Sequence, residues 1–167
     1  MTGSTDAAVL PGPREVFARM QQQWLGNDAD GMDARLAEDV VIETPFAPPG
    51  RPRRFLGREE FLAFAKAGRA VLPPLRFEEC REVAVHDTAD PEVIVVEYEL
   101  TGTVPNTNLR GAATFVGVLR VRDGQIVAWR EYQNVLAIAQ ALGQLPALLA
   151  GLSSGQPVGF QNRGRTD

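Results

Sequence analysis

The sequence predicts an α+β fold in which helices pack on one face of a mostly antiparallel sheet. Three observations carry that expectation. Apolar residues recur at helical spacing up to Ala67, alternation of period two takes over from Arg76, and the extended segments are separated by short turn signals. The 167 residues suit a single domain, with no internal repeat or linker to divide them. We expect a flexible lead over 1–13, one domain over 14–152 and a polar, glycine-rich, mobile tail over 153–167.

In chain order, Val16, Phe17, Met20, Trp24 and Leu25 form one stripe of a first helix over Arg14 to Leu25, with Gly26 as its stop. Asp28 is positioned to cap a second, short helix ending at Leu36, whose apolar residues are Ala29, Met32 and Leu36. "VVIETPF" reads as a strand from Val40 to Phe46, followed by the loop "APPGRPRRFLG", whose prolines and glycines oppose regular structure. A third helix is expected over Arg58 to Ala67, facing the core with Phe61, Leu62, Phe64 and Ala65. Strands follow at about Arg76 to Val85, Glu92 to Thr103, Leu109 to Arg122 and Gln125 to Gln133. "HDTADP", "PNTN" and "RDGQ" join them, and the Asp123-Gly124 pair is a strong hairpin signal. A terminal helix from Val135 to Leu142 closes the domain.

Composition excludes several function classes. A hydrophobic fraction of 44% with 23% charged residues is that of a packed globular chain. The net charge of −4 offers nothing to neutralise phosphates or an anionic bilayer, so neither nucleic acid nor membrane is an expected partner. Cys80, the only cysteine, has no disulfide partner within the chain and reads as a buried bystander thiol. The first residues carry no secretory pattern, and a cytoplasmic location is expected. His86, the only histidine, falls in the "HDTADP" turn and reads as solvated. Without a second histidine or a cysteine cluster there is no ordinary transition-metal set, and no cofactor is expected.

Alternation assigns the strand faces. Arg120 and Arg122 send Phe115, Gly117, Leu119 and Val121 inward, and Glu97 with Glu99 send Ile94, Val96, Tyr98 and Leu100 inward. In "IVAWREY" the pattern puts Val127, Trp129 and Glu131 on one face and Ile126, Ala128, Arg130 and Tyr132 on the other. Glu131 is therefore carried inward beside Trp129. A carboxylate in an apolar setting has its pKa raised, the state of a group poised for proton transfer near neutrality. Two structural readings stand beside this one: acceptance of backbone hydrogen bonds at the start of the terminal helix, or an ion pair with an arginine such as Arg110.

"LAEDVVIETPF", "LGREEF" and "GVLRVRDGQIVAWREYQNV" together resemble the cone-shaped superfamily of nuclear transport factor 2, ketosteroid isomerase and the SnoaL-like proteins, over about Arg14 to Leu149. The resemblance implies a conical pocket between sheet and helices, a small apolar or aromatic substrate, and a homodimer through the outer sheet face. Where ketosteroid isomerase has its aspartate base this chain has Thr44 or its neighbour Glu43, and the donor aspartate position falls near Gly117. Against limonene-epoxide hydrolase, Glu131 matches the second aspartate of the Asp-Arg-Asp arrangement. The arginine and first aspartate positions hold Tyr98 and Leu100, and the water-holding tyrosine and asparagine positions hold Ile42 and Thr44. "WREYQNVLAIAQALGQLP" looks like the last strand and helix of the small phenazine-biosynthesis proteins, whose pocket glutamate matches Glu131.

The catalytic candidates are thus Glu131, as the proton-transfer group, and Tyr98, as a hydrogen-bond donor to developing negative charge. Trp24, Thr44, Phe46, Leu100, Phe115, Gly117, Leu119 and Trp129 are expected to line the substrate site, with Trp24 and Trp129 as aromatic walls. "RPRR", Arg51 to Arg54, is placed to cover the pocket mouth and attract an anion, or is simply a solvated run. The functions that follow are an isomerase, cyclase, condensing enzyme or hydrolase working by acid-base chemistry, a non-catalytic carrier or sensor, and a dimeric scaffold whose pocket is filled by its own side chains.

Overall fold

The computed structural model describes residues 10–26, 35–71, 75–105, 107 and 109–153. These form helices α1 (Pro13–Gly26), α2 (Arg58–Val71), α3 (Val135–Ala141) and α4 (Leu145–Ser153) and strands β1 (Leu36–Glu43), β2 (Arg54–Leu56), β3 (Arg76–Asp87), β4 (Val93–Val104), β5 (Leu109–Arg122) and β6 (Gln125–Gln133). The strands make one sheet in the order β2-β1-β6-β5-β4-β3. Every pairing is antiparallel except β1 with β6, so the expected α+β architecture is present. The expected lead up to Val9, the short helix over 28–34 and the tail beyond Ser153 lie outside the described residues.

α1 starts on a proline, whose fixed φ suits a first helical turn and whose missing N–H costs nothing there. It buries Val16, Phe17, Met20 and Gln23 against the sheet, while Leu25, expected on that stripe, is 40% exposed. Phe55 of β2 is fully covered by α2, its ring 5.6 Å from Phe61 and 4.8 Å from Phe64. The inner face of the sheet carries Ile94, Val96, Tyr98, Leu100, Leu119 and Val121, the residues that alternation assigned to it. The outer face carries ion pairs, among them Arg81 with Glu99 at 3.1 Å and Arg122 with Glu92 at 2.9 Å.

Four expectations need correction, each for a local physical reason. β1 begins at Leu36, where a helix end was expected, and stops at Glu43, three residues before Phe46. Its pairing with β6 slips between Leu36↔Ile126 and Val41↔Ala128, and across this irregularity Leu36 and Ala37 are both buried while Glu38 and Asp39 are both exposed, so the start of the strand shows no period of two. A second bulge lies between β5 and β6, where Arg120 faces Ala128 and Val121 faces Ile126. Val127 is the extra residue, and the change of phase buries Ile126 completely, although strict alternation sent it outward. β2 is too short to display a period, and α4, "LPALLAGLS", has no polar face from which amphipathicity could be read. His86 lies in β3 rather than in the turn, with Nε2 3.0 Å from a carboxylate oxygen of Glu97.

The β5–β6 turn follows its sequence signal, with Asp123 at φ 51° and Gly124 at φ 75°. A methyl group added at Gly124 would sit 3.1 Å from Pro11 as well as occupying the left-handed region. Gly124→Ala is expected to lower unfolding free energy by about 1–2 kcal/mol in denaturant titration, with β6 still paired to β5.

Candidate functional site

β6 occupies an inner position in the sheet and presents Trp129, Glu131 and Gln133 on the helix side. Beyond them the strand passes into α3, whose first turn is capped by Asn134: its Oδ1 accepts from the Ala137 N–H at 3.1 Å. Ile138 and Ala139 of α3, Ala147 and Leu148 of α4, Phe61 and Phe64 of α2, and the β1–β2 loop complete the wall of a cavity of about 640 Å³. That volume lies within the range of small-molecule sites, and the wall has the usual character of such sites, apolar with a few polar groups.

Glu131 is 8% exposed. The two structural alternatives for it are taken by other groups. Asn134 caps the helix, and Arg110 pairs with Glu78 at 3.0 Å. What Glu131 has instead is the Tyr98 hydroxyl, which donates to Oε1, and Gln133, whose Nε2 donates to Oε2 at 2.6 Å. Burial pushes the Glu131 carboxyl pKa up, and the hydrogen bonds from Gln133 and Tyr98 offset only part of that rise. Burial likewise pushes the Tyr98 phenol well above its ordinary value, with the nearby Glu131 charge adding to the rise. The phenol therefore stays a donor, and the carboxyl is the group of the pair that changes protonation.

The geometry of this pair depends on what lies between them. Val96, Gly117 and Glu131 are cross-strand partners on β4, β5 and β6, so Gly117 sits directly beside Glu131. Tyr98 lies one inward position along β4 from Val96 and reaches diagonally over Gly117. A Cβ there would stand 3.0 Å from Val96 Cγ2, 3.6 Å from Trp129 Nε1 and 3.8 Å from the Tyr98 ring. Glycine leaves the gap through which the phenol crosses β5. Tyr98 is stacked on Phe115 at 5.1 Å and on Trp24 at 5.3 Å, which holds its ring in place.

Of the residues expected around the substrate, Thr44 and Trp129 line the cavity together with Glu131. Trp24 stands behind the wall, 6.4 Å from Trp129, and Leu100, Phe115, Gly117 and Leu119 belong to the packed inner sheet face. Phe46 is 64% exposed and lies edge-on to Tyr132, on the opposite side of β6 from Glu131. Tyr98 is buried next to Glu131 and does not line the cavity. Residues absent from the expected set are Gln133 and the α3 and α4 side chains. Gln133 was within reach of sequence reasoning, since it follows Glu131 by two on the same strand face. α4 carried no such signal. Among the described residues no group of three or more histidine, cysteine, aspartate or glutamate side chains is gathered as a metal site.

Residues 17–129 match the model of the SnoaL-like domain. The chain belongs to the SnoaL-like family. An uncharacterised PhzA/B-like protein of Pseudomonas aeruginosa is 31% identical over 134 residues, covering 80% of this chain and 92% of that protein. Among solved structures, a candidate isomerase from Bacillus subtilis superposes with a TM-score of 0.71 at 26% identity, over 79% of this chain and 93% of that one. A protein of ketosteroid isomerase-like fold from Catenulispora acidiphila superposes with a TM-score of 0.58 at 14% identity, over 81% and 95% of the two chains, and this likeness concerns the fold. No helix among the described residues is long and apolar enough to cross a membrane.

The raised Glu131 pKa has a thermodynamic consequence. Below the ordinary carboxyl value of 4.5 the group is protonated in both folded and unfolded chains. Above it the unfolded chain releases the proton while the folded chain keeps it. This group's contribution to stability therefore falls as pH rises from 4.5 to the folded pKa, and is level beyond. Glu131→Gln removes that loss. Denaturant unfolding across pH 4 to 9 should show the variant gaining on the parent through this window, by about 1.4 kcal/mol for each unit by which the pKa is raised.

Proposed function

We propose that this protein is a cofactor-independent acid-base enzyme of the SnoaL-like family, acting on a small apolar or aromatic, polyketide-like metabolite. The observation that carries the reading is Glu131: a carboxyl at the wall of a cavity, buried, with no cation against it among the described residues and two neutral donors fixing its orientation. Burial without a counter-charge favours the protonated acid, and Tyr98 on Oε1 leaves Oε2, on the Gln133 side, as the site of the proton. A substrate carbonyl or ether oxygen set against Oε2 receives that proton as the acid becomes a carboxylate. Tyr98 and Gln133 then both donate to the new anion. The carboxylate takes a proton back from the carbon next to the activated centre, in an isomerisation, or from the nucleophilic group that attacks that centre, in a cyclisation, and the acid is restored.

Among the described residues lining the cavity, Glu131 is the only carboxyl, and Arg51 is the only other ionisable group. One group must therefore both give and take the proton. This suits isomerisation and intramolecular cyclisation, where the proton count closes within the substrate, better than hydrolysis, which needs a water activated separately. The candidate isomerase among the relatives points the same way. Tyr98 acts as a positioning residue, and Trp129 with Phe61 and Phe64 excludes water. We further propose a homodimer through the outer sheet face, where Val83, Val116 and Phe46 are 50%, 38% and 64% exposed. We place the protein in the cytoplasm, where a lone cysteine needs no oxidising partner.

Once a substrate is found by screening, Glu131→Gln should lower kcat about 10²- to 10⁴-fold while ligand binding persists. Tyr98→Phe removes a donor that lowers the Glu131 pKa, so the alkaline limb of its kcat profile should move to higher pH. Unchanged turnover in Glu131→Gln would overturn Glu131 as the proton-transfer group, and ligand binding without turnover in the parent would leave the cavity as a carrier or sensor site.

A further inference from the structure

The cavity wall carries two ionisable groups in different surroundings. Glu131 is buried, and Trp129, Phe61 and Phe64 line the same cavity. Arg51 is exposed, on the loop between β1 and β2. That loop is a fixed turn: the Arg51 N–H donates to the Pro48 carbonyl at 3.1 Å, the Ala47 N–H to the Thr44 carbonyl at 3.0 Å, and the Thr44 N–H to the Arg53 carbonyl at 2.9 Å. Pro48, Pro49 and Pro52 stiffen it further. Three nearby arginines are engaged. Arg54 and Arg130 share Glu43 at 3.8 and 2.7 Å, and Arg58 lies 3.9 Å from Glu38. Arg51 has no carboxylate partner among the described residues, and it is the only cation among the described residues that line the cavity.

We propose that Arg51 is an anion-binding subsite, and that the ligand is a flat apolar monocarboxylic acid. Its carboxylate pairs with the guanidinium at the mouth, and its neutral oxygen-bearing end reaches Glu131. The inference rests on the reading of the cavity as a small-molecule site given above. A single guanidinium balances a single negative charge and matches a carboxylate as a planar fork. A phosphate dianion would call for further cations, and the described residues of the wall supply none. The protein's net charge of −4 gives an acid no long-range attraction, so its recognition falls to this side chain.

The test uses fluorescence titration at pH 7.5 with 6-hydroxy-2-naphthoic acid and its methyl ester, on the full chain and on Arg51→Gln, Arg51→Lys and Arg53→Gln. The parent should prefer the acid over the ester. Arg51→Gln should weaken acid binding about tenfold and leave the ester unchanged, as expected for loss of one charge-assisted pair. Arg51→Lys should keep most of the preference, and Arg53→Gln, in the same loop but off the cavity wall, should keep all of it. Equal binding of acid and ester by the parent, or equal losses in Arg51→Gln and Arg53→Gln, overturns the anion subsite and leaves the cavity reading standing. Failure of both probes to bind the parent overturns the cavity reading and the subsite with it.

Discussion

A buried carboxyl held by a phenol across a glycine is the constraint around which the inner face of this sheet is organised. Taking Glu131 out of water disfavours its charged form, and a nearby arginine would remove that penalty and with it the proton. Tyr98 and Gln133 provide a weaker compensation. They satisfy the oxygens by hydrogen bonding and leave the charge unmatched, so burial prevails and the pKa rises. Trp24, Phe115 and Gly117 do not line the cavity, yet each is needed for this result. The two aromatics fix the Tyr98 ring, and the glycine gives it a path over β5.

The two faces of the sheet divide the ionisable groups. On the outer face Glu43, Glu78, Glu92, Glu97 and Glu99 each stand beside an arginine or histidine. Such exposed pairs contribute little individually to stability. Their role is closer to bookkeeping of location: every one of these carboxylates turns away from the cavity. β6 carries both sides of the division at consecutive residues, with Arg130 outward to Glu43 at 2.7 Å and Glu131 inward to Tyr98. A slip of one residue in its register would exchange them. The bulge at Val127 and the Asp123-Gly124 turn set that register, so the local backbone of one hairpin decides which charged group faces the ligand.

Much of this was legible in the sequence where periodicity and chemistry agree. The bounds of β5 and β6, the inward face of β4, and the inward orientation of Glu131 follow from alternation against arginine and glutamate markers. The cavity wall was less legible. In the sequence Leu36 continues the helical spacing of Ala29 and Met32, and the start of β1 shows no period of two; β2 has three residues, and α4 is apolar on all sides. Inwardness was also an incomplete guide to the site. Leu100, Phe115 and Leu119 point inward as expected but pack into the core and do not line the cavity, which opens under α2, α3 and α4. Which helix covers which strand is a long-range property that no single segment encodes.

The central claim is that Glu131 keeps its proton above the ordinary carboxyl range because Tyr98 and Gln133 replace water without supplying charge. The most direct measurement is a pH titration of carboxyl carbon signals in glutamate-labelled protein, with the Glu131 signal assigned by its absence in Glu131→Gln. The account predicts a midpoint clearly above the ordinary 4.5, moving higher still in Tyr98→Phe. A midpoint at or below 4.5, or one unmoved by Tyr98→Phe, would contradict it.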